Sequence, residues 1–208
     1  MDGFVRKILQ LLEIFVKITY VNLLWIGFSI LGLVIFGVMP ASVALLTVMR
    51  RWLMEDTDIP IFKCFSSAFK KEFRRSNIFG VIFLIIFMIL YSNFRYVISV
   101  DGLLQAVLAV GLIINGSLFL VTFIYFFPVY VHYKLKFHEY FKQSILMGMV
   151  NIHLVLLICM LFFIIYHLFI YFPGYLGIFL PSAIGMTLMS ITLISFKKFE
   201  KKKAKLEK

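Results

Sequence analysis

Charge is what this sequence has least of. Only 15% of its 208 residues are Asp, Glu, Lys or Arg, against about 25% in a soluble domain. From Gln143 to Phe196 there is none at all. A water-soluble fold cannot hide so much apolar surface, so the surrounding solvent is read as lipid. Cysteine is also scarce. Cys64 and Cys159 form no CxxC pair, which supports neither a disulfide framework nor a zinc site, and both read as packing residues. The apolar runs hold no carboxylate, which argues against a self-sufficient proton- or sodium-coupled transporter. Walker A, HExxH, GxSxG and GxGxxG motifs are missing. ATP hydrolysis, zinc proteolysis and serine hydrolysis therefore have no visible machinery. No catalytic, metal or cofactor-binding residue is assigned, and the chain reads as non-enzymatic.

What is present is apolar and basic: 62% hydrophobic residues, a mean hydropathy of +1.01 and a net charge of +11. The cations sit in the gaps between apolar runs, as cytoplasmic loops of membrane proteins do. That placement favours a membrane surface over nucleic acid. The expected fold is all-α: one polytopic transmembrane helix bundle over 1–208, with about five spans and short amphipathic cytoplasmic surface helices. The spans are expected at about 18–39, 77–95, 103–128, 148–171 and 175–196. A basic loop at 40–76 and a basic tail at 197–208 complete it.

Residues 1–17 place Phe4, Ile8, Leu11, Leu12 and Phe15 at helical spacing. They read as an amphipathic surface helix running into the first span. The run is too long for a signal-peptide core, so cleavage near Ala44 is not expected. In the first span Asn22, Trp25, Ser29, Gly32 and Phe36 recur at +3 and +4, so they share a stripe suited to close helix approach. Pro40 is expected to end this span. Arg50, Arg51 and Trp52 then read as a partner-docking patch or as an interfacial anchor. Phe62, Phe65, Phe69 and Phe73 form one face, with Lys63, Lys70, Lys71 and Arg74 off it. That helix should lie in the headgroup plane, drawn by anionic lipid headgroups. Candidate interface residues are thus Asn22, Trp25, Ser29, Gly32, Pro40, Arg50, Arg51, Trp52, Phe65, Phe69 and Phe73.

Pro128 is expected to end the third span. A turn is expected at Tyr171-Phe172-Pro173-Gly174-Tyr175 and a bend at Pro181. Segments 50–75, 134–142 and 197–208 are cation-rich and are placed in the cytoplasm together with the C-terminus. Arg6, Lys7 and Lys17 disagree with an outside N-terminus, so either the amphipathic start is tolerated there or a segment near Pro40 to Leu53 is re-entrant. The motif Phe65-x3-Phe69-Lys70 echoes Phe137-x3-Phe141-Lys142, as a tandem duplication would. His153 and His167 lie about 21 Å apart by helical rise, too far to share a metal.

Asn22-Leu23-Leu24-Trp25, Gly32, Gly37, Pro40-Ala41, Ala44-Leu45, Arg50, Trp52 and Phe65-x3-Phe69-x3-Phe73 resemble the YesL family of small bacterial membrane proteins. The resemblance covers the first half well and the second mainly in hydropathy. It implies a multi-pass plasma membrane protein encoded beside sugar-importing ABC transporters and polysaccharide-degradation genes. It implies no catalytic or ligand residues. The expected role is an accessory to an ABC-type carbohydrate import system, bound to its permease subunits. The alternative is a small transporter or channel acting as a homo-oligomer.

Overall fold

The computed structural model describes residues 2–171 and 179–206. Among these residues the regular structure is entirely helical. Seven helices follow in order: α1 (Asp2–Leu31), α2 (Val38–Leu53), α3 (Ile61–Val97), α4 (Gly102–His132), α5 (Phe137–Val150), α6 (Ile152–Tyr171) and α7 (Leu180–Leu206). Four of them, α1, α3, α4 and α7, are long and apolar enough to cross a membrane. A fifth crossing is made if α5 and α6, bent by 90° at Asn151, form one broken span. The turn expected at 171–175 lies, beyond Tyr171, outside the described residues.

The helix boundaries correct the expectations at each proline. Pro40 does not end the first span. It sits buried in the first turn of α2, where its missing N–H would have had no helical partner. The break comes earlier. Leu33 donates its N–H to the Ile30 carbonyl at 2.9 Å, and Val34 donates to Ser29 at 2.8 Å. These paired bonds, with Leu33 at φ 58°, are a Schellman ending with leucine where glycine is usual. Val34, β-branched, follows at φ 59°, a conformation costing about 1–3 kcal/mol. Gly32 and Gly37 make the tight reversal possible. A Cβ on Gly37 would meet the Ser29 backbone, and one on Gly32 would meet the Gly37 backbone.

Pro128 likewise lies inside α4, which continues to His132. Pro181 falls in the first turn of α7 and marks a start, not a bend. The phenylalanine-faced element at 61–73 is not a separate surface helix. No breaker separates it from the following span, so α3 runs unbroken for 37 residues. The amphipathic start of the chain is continuous with α1 in the same way.

The chain divides into two compact units. The first holds Met1–Phe73 with Leu157–Ile191, and the second Arg74–Leu156 with Thr192–Lys208. In the first, α1 and α2 pack antiparallel, and Ala41, Ala44, Val48 and Met49 are fully buried. Gly185 of α7 lies against the side chains of Leu45, Leu46 and Met49. In the second, α4 packs on α5, with Gly148 facing Val121 and Tyr125. An aromatic core centres there on Phe79 and Phe126, whose rings meet edge-on at 4.8 Å. Phe137 stacks on Phe79 at 4.5 Å.

Gly37→Ala should lower the thermal midpoint in detergent, because its Cβ meets backbone that cannot yield; overpacking costs about 1–3 kcal/mol. Gly27→Ala, with open space around its Cβ, should leave the midpoint unchanged or slightly raised. Equal midpoints for the two variants would refute the tight reversal.

Candidate functional site: polar junctions between helices

A buried polar group in lipid must find its partner inside the protein. The first unit solves this with one asparagine. Asn22 is fully buried on α1. Its side-chain N–H group donates to the Ser182 hydroxyl at 2.7 Å and to the Ile18 carbonyl at 3.0 Å. Its side-chain oxygen accepts the Ser182 backbone N–H at 3.1 Å. That N–H belongs to the first turn of α7, where helices leave donors unpaired. Asn22 thus caps α7 from a different helix. The Ser182 hydroxyl donates onward to the Phe179 carbonyl at 3.0 Å.

The same stripe of α1 holds two more neighbours. The Trp25 indole N–H donates to the Ser42 hydroxyl of α2 at 3.2 Å, and Ser42 donates to Val38. Phe28, one turn on, meets Phe65 at 5.3 Å and Phe69 at 4.9 Å. Phe65 and Phe69 are consequently buried. Their face is covered by α1, not by headgroups, which corrects the surface-helix reading. Phe73 follows against Phe69 at 5.5 Å.

The remaining candidates scatter. Ser29 is buried, and its hydroxyl has no partner among the described residues. Gly32 is buried at the α1 ending, and Phe36 is exposed in the reversal. Arg50 and Trp52 are half-buried in the last turn of α2, and Arg51 is exposed. The Trp52 indole nitrogen is buried without a partner among the described residues. His153 and His167 are both exposed, and His167 Nδ1 sits 3.0 Å from the Phe163 carbonyl. Asn22, Trp25, Pro40, Phe65 and Phe69 are thus taken up inside the chain as helix junctions.

The second unit has a polar junction that the sequence did not single out. The Arg75 guanidinium lies 5.1 Å from the Tyr140 ring and 5.7 Å from the Tyr130 ring. It also donates to the Leu135 carbonyl at 3.3 Å. This cation–π placement ties α3 to the α4–α5 turn. Tyr140 Oη accepts the Leu135 N–H at 3.1 Å and donates to the Tyr133 carbonyl at 3.3 Å. The Glu200 carboxylate accepts from the Tyr133 hydroxyl at 3.2 Å and pairs with His132 at 3.3 Å. Burial, and then the neighbouring Glu200, raise the Tyr133 phenol above its ordinary range. Only the spacing of tyrosines around the 133–140 turn hinted at this junction in the sequence.

These groups are spent on each other. Among the described residues no group of three His, Cys, Asp or Glu side chains is placed to hold a metal. Over residues 18–94 the chain matches the family described as "Protein of unknown function, DUF624". It is 35% identical to the uncharacterized protein YesV of Bacillus subtilis (strain 168) over 191 residues, 90% of each chain. The chain belongs to the YesL family. Two further relatives from the same organism agree. The uncharacterized protein YteU is 34% identical over 199 residues, 96% of this chain and 89% of its own. The uncharacterized protein YesL is 38% identical over 128 residues, 62% of this chain and 60% of its own. No solved structure matches significantly. The family match takes in Asn22, Trp25, Phe28, Phe65 and Phe69 and excludes Ser182.

Asn22→Leu leaves the Ser182 N–H buried without an acceptor, a loss of about 1–3 kcal/mol. A double-mutant cycle with Ser182→Ala, read by denaturant titration in detergent, should show coupling of up to about 1.7 kcal/mol; additive effects would refute the junction.

Ionising Tyr133 is harder in the folded chain, so its contribution is intact below the ordinary tyrosine range and fades as pH rises above it. Glu200→Gln should bring the Tyr133 titration part of the way down, since burial remains. Tyrosinate absorbance, with Tyr133→Phe as the blank, checks this; an unmoved or rising titration would contradict it.

Proposed function

We propose that this YesL-family chain is a non-enzymatic plasma membrane protein, with its C-terminus cytoplasmic, that accompanies an ABC-type carbohydrate importer. One observation carries the reading. Asn22, Trp25, Arg75 and Tyr140 are taken up in holding elements of the chain together, while long apolar faces stay uncovered. In the most apolar 18-residue window of α3 only 11% of the residues are buried, and in those of α1 and α4 17%. Surface of this kind is what lipid or a partner's helices cover. The proposed partners are permease subunits, reached through these faces and through cations such as Arg51, Lys70 and Lys142, all exposed. The same cations suit anionic lipid headgroups, at about 1 kcal/mol for each held near the surface. The carbohydrate assignment rests on the gene neighbourhoods that the YesL resemblance implies.

A second reading, a small homo-oligomeric transporter or channel, draws on a groove of about 560 Å³ in the first unit. Ser182, Thr187 and Ser190 give it a few hydroxyls along an otherwise apolar lining. The bonds between Asn22 and Ser182 weigh against a continuous polar path there.

Gentle solubilisation and crosslinking pull-down from native membranes should recover a permease or its ATPase with this chain. Recovery of the chain alone would reject the accessory role. Sugar or ion flux in liposomes holding only this chain would favour the second reading.

A further inference from the structure

From Gly102 to Leu120 no residue of α4 is buried. Ile113 is 67% exposed and Val107 61%. Two amides stand among these apolar residues: Gln105, half-buried in the first turn, and Asn115, exposed near the middle of the 31-residue helix. A helix of this length spans the hydrocarbon with some to spare, so Asn115 falls near the bilayer centre. Among the described residues its one partner is the Gly111 carbonyl of its own helix, at 2.8 Å. The amide keeps its second N–H and most of its acceptor capacity. A lipid tail offers neither donor nor acceptor, so this is a costly group to leave facing lipid.

The surroundings of Asn115 are shaped for a close neighbour. Gly111, Asn115, Leu118 and Thr122 recur at +4, +3 and +4 and share one stripe. A Cβ built on Gly111 or Gly116 meets nothing within 4 Å, so another backbone has room to approach. The stripe forms one wall of a groove of about 580 Å³ between α3 and α4, with Phe83, Leu90 and the amide of Asn93 on the α3 side.

We infer that this face of α4 is where a second copy of the chain docks, the two Asn115 amides bonding to each other across a twofold axis. An amide is both donor and acceptor, so it is its own complement. A twofold axis through Asn115 lets each amide give one N–H and take one, with no other residue type required. From Gly102 to Val131 there is no Asp, Glu, Lys or Arg, so the face presents no charge that selects an unlike partner. The side chains of one α4 enter the groove beside the other. This contact is separate from any permease contact and stands whether or not one exists.

The test uses full-length chain in membranes with Cys64→Ser and Cys159→Ser. Copper–phenanthroline oxidation of Leu118→Cys, on the same stripe with Asn115 intact, should give a covalent dimer on a non-reducing gel, whereas Ile113→Cys, on the far side of α4, should not. No dimer from Leu118→Cys, or equal dimer from both, would overturn the inference; a groove filled by lipid or by another protein predicts the former. In vesicles, energy transfer between labelled copies diluted with lipid should show Asn115→Leu associating about tenfold more weakly than the parent. Unchanged association would also overturn it. An unaltered thermal midpoint in detergent shows that the leucine variant is folded, as expected for an exposed side chain.

Discussion

The bonds between Asn22 and the start of α7 are the constraint on which the first unit turns. In hydrocarbon, helices gain little from hiding apolar side chains from one another, because lipid is equally apolar. Association must come from close packing and from polar groups with nowhere else to go. Asn22 supplies the second kind. It answers the unpaired first turn of α7 and fixes the height at which that helix begins. Trp25 and Phe28, on the same stripe, then set α2 and the start of α3 against it. One face of α1 thus positions three other elements.

The second unit uses different chemistry for the same end. Its core is phenylalanine and tyrosine, and its polar junction is a guanidinium lying over two adjoining tyrosine rings. Arginine suits that position because its flat, weakly hydrated cation stacks where an ammonium would demand water. The α4–α5 turn is closed by Tyr140 through both its hydroxyl donor and acceptor roles. Neither unit collects a nucleophile, a base and an open cavity in one place among the described residues. This is why the functional reading rests on surfaces.

Much of this was legible in the sequence, and the losses have physical reasons. Uncharged apolar runs announce themselves, so the long helices were expected near where they lie. The Asn22–Trp25–Ser29 stripe was legible as a contact face, because small and polar residues at helical spacing have few other uses. Its partner was not: a bond to Ser182 spans 160 positions and leaves no periodic trace. Prolines misled for a related reason. A proline breaks a helix only where its N–H was needed, and Pro40 and Pro181 stand where it was not. The true break used Leu33 and Val34 in left-handed backbone, and such residues advertise nothing. The phenylalanine face of α3 was visible, but pattern alone cannot say whether lipid headgroups or Phe28 will cover it.

The Asn22 cap also bears on biogenesis. The amide is made 160 residues before the serine that answers it. At roughly 5–20 residues per second, α1 waits on the order of ten seconds with a polar group unmatched. During that interval it is a poor resident of the bilayer and a good client for the insertion machinery. Arrival of α7 ends the wait, so settling of the first helix and emergence of the seventh become one event. A ribosome stalled before Ser182 would leave behind a helix still marked as unfinished.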